Sequence, residues 1–377
     1  MELATRPGMH TLNLALQGGG SHGAFTWGVL DALLDDGRIG LEGLSGTSAG
    51  ALNAVVLASG YARAAAAGRD PREGAREALA RLWDQVGAWD ALGAWQRQWT
   101  RLLWGGMAPE FASGDWLVRA AHQAVSPYHA NPLGLNPLRD LLHEQVDFAA
   151  IARGPLKVFV SATHVATGRA VIFTGQQLHA DAVMASACLP MLFQAVEIDG
   201  QAYWDGGYCA NPALTPLIRQ CGSADLMLVQ INPLEVDGTP KTSAEILNRI
   251  NELTFNASLL TQMRTIEFIN ALIVRGELRD TTCKLVRMHR IDAGEAIRTY
   301  PSSTRTSTDA AMLRALFGMG QAAARQWLAR HADALGQRGT IDIRSDDLDD
   351  ARLAVPRAAP DRSLWRPWLA RLLGRRR

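Results

Sequence analysis

Cysteine is scarce in this sequence, and neither sign of charge predominates. Only four of the 377 residues are cysteines. They are too few to staple so long a chain with disulfides, and none has the spacing of a zinc site. The 38 Lys and Arg residues nearly balance the 37 Asp and Glu residues, which leaves a net charge of +1. We therefore expect no structural metal, no disulfide framework and no nucleic-acid partner.

Signals for export and for membrane insertion are missing as well. Met1–Leu16 lacks the basic stretch and long apolar segment of a secretory signal, so we expect a cytoplasmic protein. Two uncharged stretches, Thr11–Leu30 and Gly43–Ala62, are long enough to span a bilayer. Each contains Gly, Ser, Thr or Asn residues in its middle. We interpret both as buried parallel strands that lead into helices.

What the sequence does contain is a repeated pattern of strand, turn and helix. Thr11–Leu16 is a short apolar run that ends at a cluster of glycines, and Ala24–Asp35 has apolar residues at helical spacing. Ile39–Leu44 predicts a second strand, followed by a glycine-flanked turn and a helix from Ala51. Two such units close together predict neighbouring parallel strands, with both turns at the same edge of an α/β sheet.

Further along the chain, the periodicity predicts more strands, a hairpin at Asp199–Gly200 and two helical regions. The predicted strands are Lys157–His164, Ala170–Thr174, Asp225–Ile231 and Lys284–Ile291. The helical regions are Ala244–Val274, as one long helix or two, and Asp309–His331.

The segment Gly46–Gly50 has the sequence GTSAG, which is the pattern of a nucleophile elbow. In this turn a strand passes into a helix and holds a serine hydroxyl, here that of Ser48, above the edge of the sheet. Gly46 and Gly50 are required because a Cβ atom at either position would meet the neighbouring chain. The same five residues could instead be a helix entry with Thr47 or Ser48 as the N-cap.

A serine nucleophile requires hydrogen-bond donors for the oxyanion that forms when it attacks an ester. Unpaired backbone N–H groups at the glycine-rich turn Gly18–Gly20 could provide them. The longer segment Gly18–Gly23, GGGSHG, also satisfies the GxGxxG pattern of dinucleotide-binding folds. That motif requires an acidic residue at the end of a second strand, whereas Asp35 and Asp36 end a predicted helix. We therefore reject a nicotinamide cofactor.

Either a histidine or an aspartate could take the proton from Ser48. A triad hydrolase places an acid and then a histidine late in the chain. The candidate histidines are His164, His179, His289 and His331. None of them lies in a glycine-marked loop, and we expect His289 to face solvent or a partner. Asp205, by contrast, ends an apolar strand and is followed at once by two glycines.

Three motifs in this order, GGGSHG at Gly18–Gly23, GTSAG at Gly46–Gly50 and DGG at Asp205–Gly207, resemble those of the patatin-like phospholipase family. The runs ASACLP (Ala185–Pro190) and NPAL (Asn211–Leu214) are similar to the surroundings of that family's active site. The resemblance covers roughly residues 12–233. The remainder looks similar to a bacterial subgroup with its own C-terminal extension.

The resemblance implies a three-layer α/β/α fold with a mainly parallel central sheet, a helical insertion and a helical C-terminal extension. It implies a serine acyl-ester hydrolase for lipids, of the phospholipase A or lysophospholipase type, that needs no cofactor and no metal. Ser48 is then the nucleophile and Asp205 the general base of a catalytic dyad that works through an acyl-enzyme. Gly18, Gly19 and Gly20 supply the oxyanion hole. The other motif glycines are Gly23, Gly46, Gly50, Gly206 and Gly207.

One residue departs from the family pattern, and two other functions stay open. His22 stands where many family members carry Arg or Lys, so no phosphate-steering cation is implied there; His22 could orient the loop or merely pack. One alternative function is a Ser-His-Asp triad esterase. The other is a non-catalytic lipid- or protein-binding module that keeps the fold, although such a module would need neither Ser48 nor Asp205.

We divide the chain into a catalytic domain, an extension and a tail. The catalytic domain is 1–235, with a Trp-rich helical insertion at about 83–142 that is either a lid over the site or padding of the core. Residues 236–340 form a helical extension packed on it, and 341–377 form an acidic and then basic tail. Arg362–Arg377 combines arginines with Trp and Leu, which suits peripheral contact with an anionic inner-membrane surface. It could equally be a frayed terminus or a packed helix.

Overall fold

A single eight-stranded sheet organises the molecule. The computed structural model describes residues 10–103, 126–130, 136–235, 238–278, 283–294, 297, 300, 304–305 and 307–348. The strands among them are β1 (His10–Leu16), β2 (Ile39–Gly46), β3 (Lys157–His164), β4 (Ala170–Thr174), β5 (Val196–Ile198), β6 (Gln201–Asp205), β7 (Asp225–Gln230) and β8 (Arg287–Asp292).

The sheet is mixed and mainly parallel. Its strand order is β5-β6-β3-β2-β1-β7-β8, with β4 also paired to β3. The five strands from β3 to β8 in this order run parallel, whereas β4, β5 and β6 join antiparallel. In the register of the central strands, Leu16 on β1 lies beside Gly46 on β2 and Val229 on β7. The prediction that the first two turns meet at one edge of the sheet is therefore confirmed.

Helices cover both faces of the sheet. They are α1 (Gly23–Asp36), α2 (Ala49–Ala66), α3 (Pro71–Leu103), α4 (Pro127–Ala130), α5 (Pro137–Gln145), α6 (Phe148–Arg153), α7 (Ala180–Ser186), α8 (Thr215–Gln220), α9 (Ser243–Val274) and α10 (Ala310–His331).

Alternation along the strands separates two hydrophobic cores, as in a three-layer α/β/α fold. Leu14 and Leu16 of β1 belong to the core that includes side chains of α1, α2, α3 and α10. Ala15, between them, belongs to the second core, which contains Leu217 of α8 and Leu259 of α9. The expected fold class is confirmed.

Local sequence explains where the hairpin turns and where the longest C-terminal helix begins. Asp199 and Gly200 join β5 to β6 with φ angles of 51° and 71°, the left-handed pair that a two-residue hairpin requires. Thr242 and Glu245 form a reciprocal capping box at the start of α9. The region predicted as one helix or two is one helix in the structure.

The C-terminal part of the chain is built into the same body. It contributes α9, α10 and also β8, which pairs with β7 in parallel. Helix α10 crosses α1 closely, because a Cβ atom on Gly320 would lie 2.0 Å from the carbonyl oxygen of Phe25. Within the described residues, none of the helices has both the length and the apolarity needed to cross a bilayer.

Two predicted features lie largely outside the described residues. The basic tail segment Arg362–Arg377 is one of them. In the Trp-rich region, α3 extends to Leu103, and the residues from 104 to 125 are outside the description. Trp83, at the start of that region, is buried in the core and donates a hydrogen bond from Nε1 to Asn53 Oδ1.

Candidate active site

Ser48 lies in the tight turn between β2 and α2. Its φ and ψ angles are 54° and −122°, a left-handed conformation that is costly for any residue with a side chain. Neighbouring chain leaves no space beside the turn, since a Cβ atom on Gly50 would lie 2.2 Å from the carbonyl oxygen of Leu16. The Ser48 N–H donates to Ser186 Oγ at 2.9 Å. These features are those of a nucleophile elbow.

Ser48 stands at the N-cap position of α2, as the alternative interpretation of this turn expects, but the turn is not a simple side-chain cap. The Ser48 side chain makes no capping hydrogen bond at the start of α2. The hydroxyl of Thr47 points elsewhere, because it donates to the carbonyl oxygen of Ala210 at 2.7 Å. Neither hydroxyl therefore caps the N-terminus of the helix.

Asp205, at the end of β6, lies beside Ser48. The Asp205 N–H donates to the carbonyl oxygen of Cys188 at 2.8 Å. Cys188 lies two residues after Ser186, whose Oγ accepts the Ser48 N–H, so one short segment contacts both residues. Asp205 Oδ1 accepts the Gly207 N–H at 2.7 Å. The buried second oxygen, Oδ2, makes no hydrogen bond of regular geometry, although the Ser48 side chain is close enough to interact with the carboxyl group. The structure thus brings the two predicted dyad residues together.

Burial gives the Asp205 carboxyl an unusual proton affinity. The side chain is only 1% exposed. This desolvation raises the pKa of Asp205 to about 7, against the opposing effects of the hydrogen bond from Gly207 and of the nearby Ser48 side chain. At the ordinary pKa of an aspartate, near 3.9, the group would be a feeble base for a hydroxyl. A pKa close to neutrality suits a general base much better.

The glycine turn that follows β1 lies against Ser48. A Cβ atom on Gly18 would be 2.8 Å from Ser48 Cβ. The Gly18 N–H already donates to Asn211 Oδ1 at 2.7 Å, so it is not free for an oxyanion. The N–H groups of Gly19 and Gly20 make no hydrogen bond to any other described residue. They are the unpaired donors of this turn.

His22 does not provide a cation at the turn. It is buried, its Nε2 lies 2.8 Å from Thr304 Oγ1, and its ring meets that of Tyr300 edge to face. Burial, and secondarily the charge of Arg305, lowers the pKa of His22 to about 4. The imidazole is therefore neutral at neutral pH. The cation that acts on His22 is Arg305. The backbone of Arg305 packs against the turn, because its carbonyl oxygen would lie 2.1 Å from a Cβ atom on Gly20.

None of the four histidines considered for a triad hydrogen bonds to Ser48 or Asp205 within the described part of the chain. His164 binds Thr167 and Gln201. The expectation that His289 faces solvent or a partner is wrong. It is fully buried, with Nε2 3.1 Å from Asp225 Oδ1. Since Asp225 begins β7 whereas Ser48 follows the end of β2, this pair lies near the opposite edge of the sheet.

Sequence reasoning missed the polar residues that hold the glycine turn. Gln17, Asn232 and Asn256 are buried next to it and bond to one another or to Gly18. Asn211 belongs to the NPAL motif, but that motif does not indicate its bond to the Gly18 N–H. Isolated Asn and Gln residues have no spacing signal, so only the folded structure reveals this cluster. The described residues contain no group of three or more His, Cys, Asp or Glu side chains arranged to hold a metal ion.

A known protein family matches most of the region that contains the site. The sequence model of the Patatin-like phospholipase family matches residues 14–218, which is more than half of the chain. This chain belongs to the patatin-like phospholipase family. The matched region contains the glycine turn, the nucleophile elbow and the DGG motif. Membership of this family supports lipid acyl-ester hydrolysis as the general activity.

Two solved structures are similar to this patatin-like protein at low identity. VipD from Legionella pneumophila is 17% identical with a TM-score of 0.36, over 83% of this chain and 67% of that one. A chain of the heterodimeric ExoU–SpcU complex, from the type III secretion system of Pseudomonas aeruginosa, is 16% identical with a TM-score of 0.29. That match covers 88% of this chain and 78% of the other. No curated protein sequence matches this one.

Proposed function

We propose that this protein hydrolyses lipid acyl esters with Ser48 as nucleophile and Asp205 as general base. The observation that carries the proposal is the strained Ser48 turn beside a buried carboxyl whose pKa is raised to about 7. A buried carboxylate with an unsatisfied oxygen is costly for folding, and a left-handed serine is costly as well. Such costs are typical of residues that are kept for chemistry.

In the first half-reaction, the Ser48 oxygen attacks the ester carbonyl while its proton moves to Asp205. The carbonyl electron pair moves onto oxygen and forms the oxyanion. When the intermediate collapses, the bond to the leaving alcohol breaks, and that alcohol takes the proton from Asp205. In the second half-reaction, Asp205 removes a proton from water, which attacks the acyl-enzyme and releases the fatty acid and the Ser48 hydroxyl.

The oxyanion in this scheme is held by the N–H groups of Gly19 and Gly20. Both are free of other described partners, whereas the Gly18 N–H is bound to Asn211. A single oxyanion donor typically contributes about 2.7–4 kcal/mol to the transition state. An aspartate base alone provides only part of the rate enhancement. Two preorganised donors supply a large share of the rest.

We propose that the acyl chain of the substrate contacts apolar side chains of the loop that follows α7. A cavity of about 370 Å³ adjoins Cys188, whose carbonyl binds Asp205, and its lining combines Met184 and Phe193 with polar and charged side chains, among them Arg139 and Glu197. Met191 and Leu192, on the same loop, are exposed large hydrophobic residues. Phospholipid, lysophospholipid, neutral acyl ester and hydroxyalkanoate ester all present the same carbonyl group to Ser48. We further propose that the catalytic unit continues past residue 235, because β8, α9 and α10 of the predicted extension pack with the same sheet and its cores.

Lipid-product analysis of the parent protein beside Ser48→Ala tests the proposal. We expect the parent to release free fatty acid from lipid acyl esters and the variant to release none, because the acyl-enzyme cannot form. Ser59→Ala is the matched control, since Ser59 is a buried serine of α2, the helix that follows Ser48, and its Oγ accepts the Asp147 N–H. Fatty-acid release by folded Ser48→Ala at the parental rate would refute the assignment.

A further inference from the structure

Four buried amide side chains surround the glycine turn, and two of them come from outside the region matched by the family. Gln17, Asn211 and Asn232 are fully buried, and Asn256 is 4% exposed. We call these four residues the amide cluster. Asn232 and Asn256 both follow residue 218, where the family match ends, and Asn256 lies on α9.

Asn232 fixes the peptide plane that carries the Gly19 N–H. Its Nδ2 donates to the carbonyl oxygen of Gly18 at 2.7 Å. That carbonyl and the Gly19 N–H belong to the same planar peptide unit, and in a trans peptide they point in opposite directions. By holding the oxygen on one side, Asn232 directs the Gly19 N–H to the other. Asn211 holds the preceding peptide by accepting the Gly18 N–H.

Gln17 holds Asn232 in turn. Gln17 Oε1 accepts the backbone N–H of Asn232 at 3.0 Å and its Nδ2 group at 3.2 Å. Both acceptors of Asn232, Gly18 O and Gln17 Oε1, therefore face the same nitrogen. A reversed amide would place its oxygen against both of them, so the orientation of Asn232 is fixed.

Asn256 is one of the groups that hold the amide of Gln17, beside the carbonyl oxygen of Asn211 and the backbone N–H of Ile231. Asn256 Oδ1 accepts a hydrogen bond from Gln17 Nε2 at 3.3 Å, and its own Nδ2 donates to the carbonyl oxygen of Pro233 at 2.9 Å. With Nε2 held in this way, the opposite atom, Oε1, is turned toward Asn232. A continuous series of hydrogen bonds thus runs from α9 through Gln17 and Asn232 to the oxyanion turn.

We propose that Asn232 and Asn256 are positioning residues that aim the Gly19 N–H at the oxyanion, so that chain beyond the family-matched region completes the active site. This inference rests on the proposed function and deepens it. Neither residue touches the substrate or Ser48. Each acts through the next amide in the series.

This role predicts a specific kinetic effect. The oxyanion exists only in the transition state and the tetrahedral intermediate, so a misaimed donor lowers kcat and leaves KM nearly unchanged. Loss of a whole donor lowers kcat by about 10²–10³-fold. We expect a loss of roughly 100-fold for Asn232→Ala and about 10-fold for Asn256→Ala, one step further away.

The experiment measures kcat and KM of the purified full chain for a short-chain nitrophenyl ester. It also measures inhibition by an alkyl trifluoromethyl ketone, whose adduct with serine carries a charged oxygen like that of the intermediate. Both variants should bind this ketone more weakly, while binding of the matching ether, which forms no oxyanion, stays at the parental level. A merely structural role would not separate the two ligands.

Asn270→Ala is the matched control. Asn270 is also on α9 and also uses both ends of its amide, in bonds to the backbone of Val286. Its loss should reduce thermal stability about as much as Asn256→Ala but leave kcat unchanged. If Asn232→Ala fails to fold, Asn256→Ala provides the same comparison.

Parental kcat in folded Asn232→Ala and Asn256→Ala would overturn the inference, as would an equal kcat loss in Asn270→Ala. These outcomes differ from failure of the proposed function. In that case Ser48→Ala would retain ester hydrolysis, whatever the amide variants do.

Discussion

At the scale of single residues, two buried aspartates of the same sheet have pKa values that are shifted in opposite directions. Among the described residues no cation lies beside Asp205, so burial raises its pKa to about 7. Burial acts on Asp225 in the same direction, but hydrogen bonds from Arg287 and His289 outweigh it and lower the pKa of Asp225 well below the usual range. The first carboxyl suits proton transfer, and the second forms a permanent ion pair.

These two aspartates should contribute to stability with opposite signs. Folded Asp205 keeps its proton up to about pH 7, whereas the unfolded chain releases it near pH 3.9. The free energy of unfolding therefore falls as pH rises between these values, by up to roughly 4 kcal/mol. We expect Asp205→Asn to be more stable than the parent protein at about pH 8, with the difference shrinking toward pH 4.

Asp225→Asn is the paired control for this measurement. Since the folded pKa of Asp225 is depressed, its stabilising effect is complete above the unfolded pKa and is lost as pH falls through the folded pKa. We expect Asp225→Asn to be less stable than the parent at neutral pH. Thermal unfolding of the three proteins across pH checks both signs. A parent protein more stable than Asp205→Asn at about pH 8 would contradict the assignment of Asp205.

The sequence predicted some of these residues and not others, for physical reasons. Ser48 and Asp205 stand among glycines whose spacing follows from the geometry of tight turns. This local pattern allowed both residues to be predicted from the sequence. His289 was misplaced because its partners, Asp225 and Thr340, are 64 and 51 positions away along the chain. The amide cluster was missed for the same reason. A side-chain hydrogen bond between distant residues leaves no local pattern.

At the scale of secondary-structure elements, glycines set the distance between α1 and α10. A Cβ atom on Gly28 would lie 2.0 Å from the carbonyl oxygen of Phe317, and one on Gly320 equally close to that of Phe25. The two helices therefore touch backbone to backbone. Because α1 begins directly after the glycine turn, this contact also supports the active-site edge of the sheet.

We expect Gly320→Ala to destabilise the protein by about 1–3 kcal/mol or more, because α10 must move away from α1. Gly318→Ala is the control on the same helix, where an added Cβ atom meets nothing within 4 Å. Replacing that exposed glycine should stabilise the helix by up to about 1 kcal/mol. Chemical denaturation of both variants measures the difference. Similar stabilities for Gly318→Ala and Gly320→Ala would disprove the close contact.

Most elements were predicted from periodicity, but few of their contacts were, the pairing of β1 with β2 being one of those few. The paired strands β3 and β4 match the predicted Lys157–His164 and Ala170–Thr174. These short elements have clear alternation and turn signals at their ends. The position of β8 beside β7, and of α9 beside the oxyanion turn, depends on pairings between distant segments. Such pairings follow from packing of the whole chain. The periodicity of a short segment contains no information about them.

At the scale of the whole molecule, the family match and the folded body do not have the same extent. The match ends at residue 218, whereas β7, β8, α9 and α10 complete the sheet and its covering layers. The segment predicted as an extension thus contributes a strand to the central sheet as well as helices. If the amide cluster acts as proposed, this part of the chain also belongs to the catalytic machinery.

The basic tail segment Arg362–Arg377 provides a prediction at this scale, although it lies outside the described residues. Its arginines, Trp and Leu side chains should hold the protein on an anionic lipid surface. We expect deletion of the segment to weaken binding to anionic vesicles, and added salt to weaken binding of the full chain. Sedimentation with neutral vesicles is the control. Equal binding of full-length and truncated protein to anionic vesicles would rule out this role.

If Asp205 activates Ser48 for acyl transfer, the rate at which Ser48 becomes acylated must depend on the protonation of Asp205 and therefore on pH. Rapid quenching after mixing with a nitrophenyl ester, followed by mass spectrometry of the peptide that contains Ser48, gives this rate. We expect an acyl group on Ser48 and a rate that rises with pH, with a midpoint near the Asp205 pKa of about 7. Asp205→Asn should be slower by about 10²–10⁴-fold, the usual contribution of a positioned general base. Ester turnover with the acyl group on another residue, or an unchanged rate in Asp205→Asn, would contradict this mechanism.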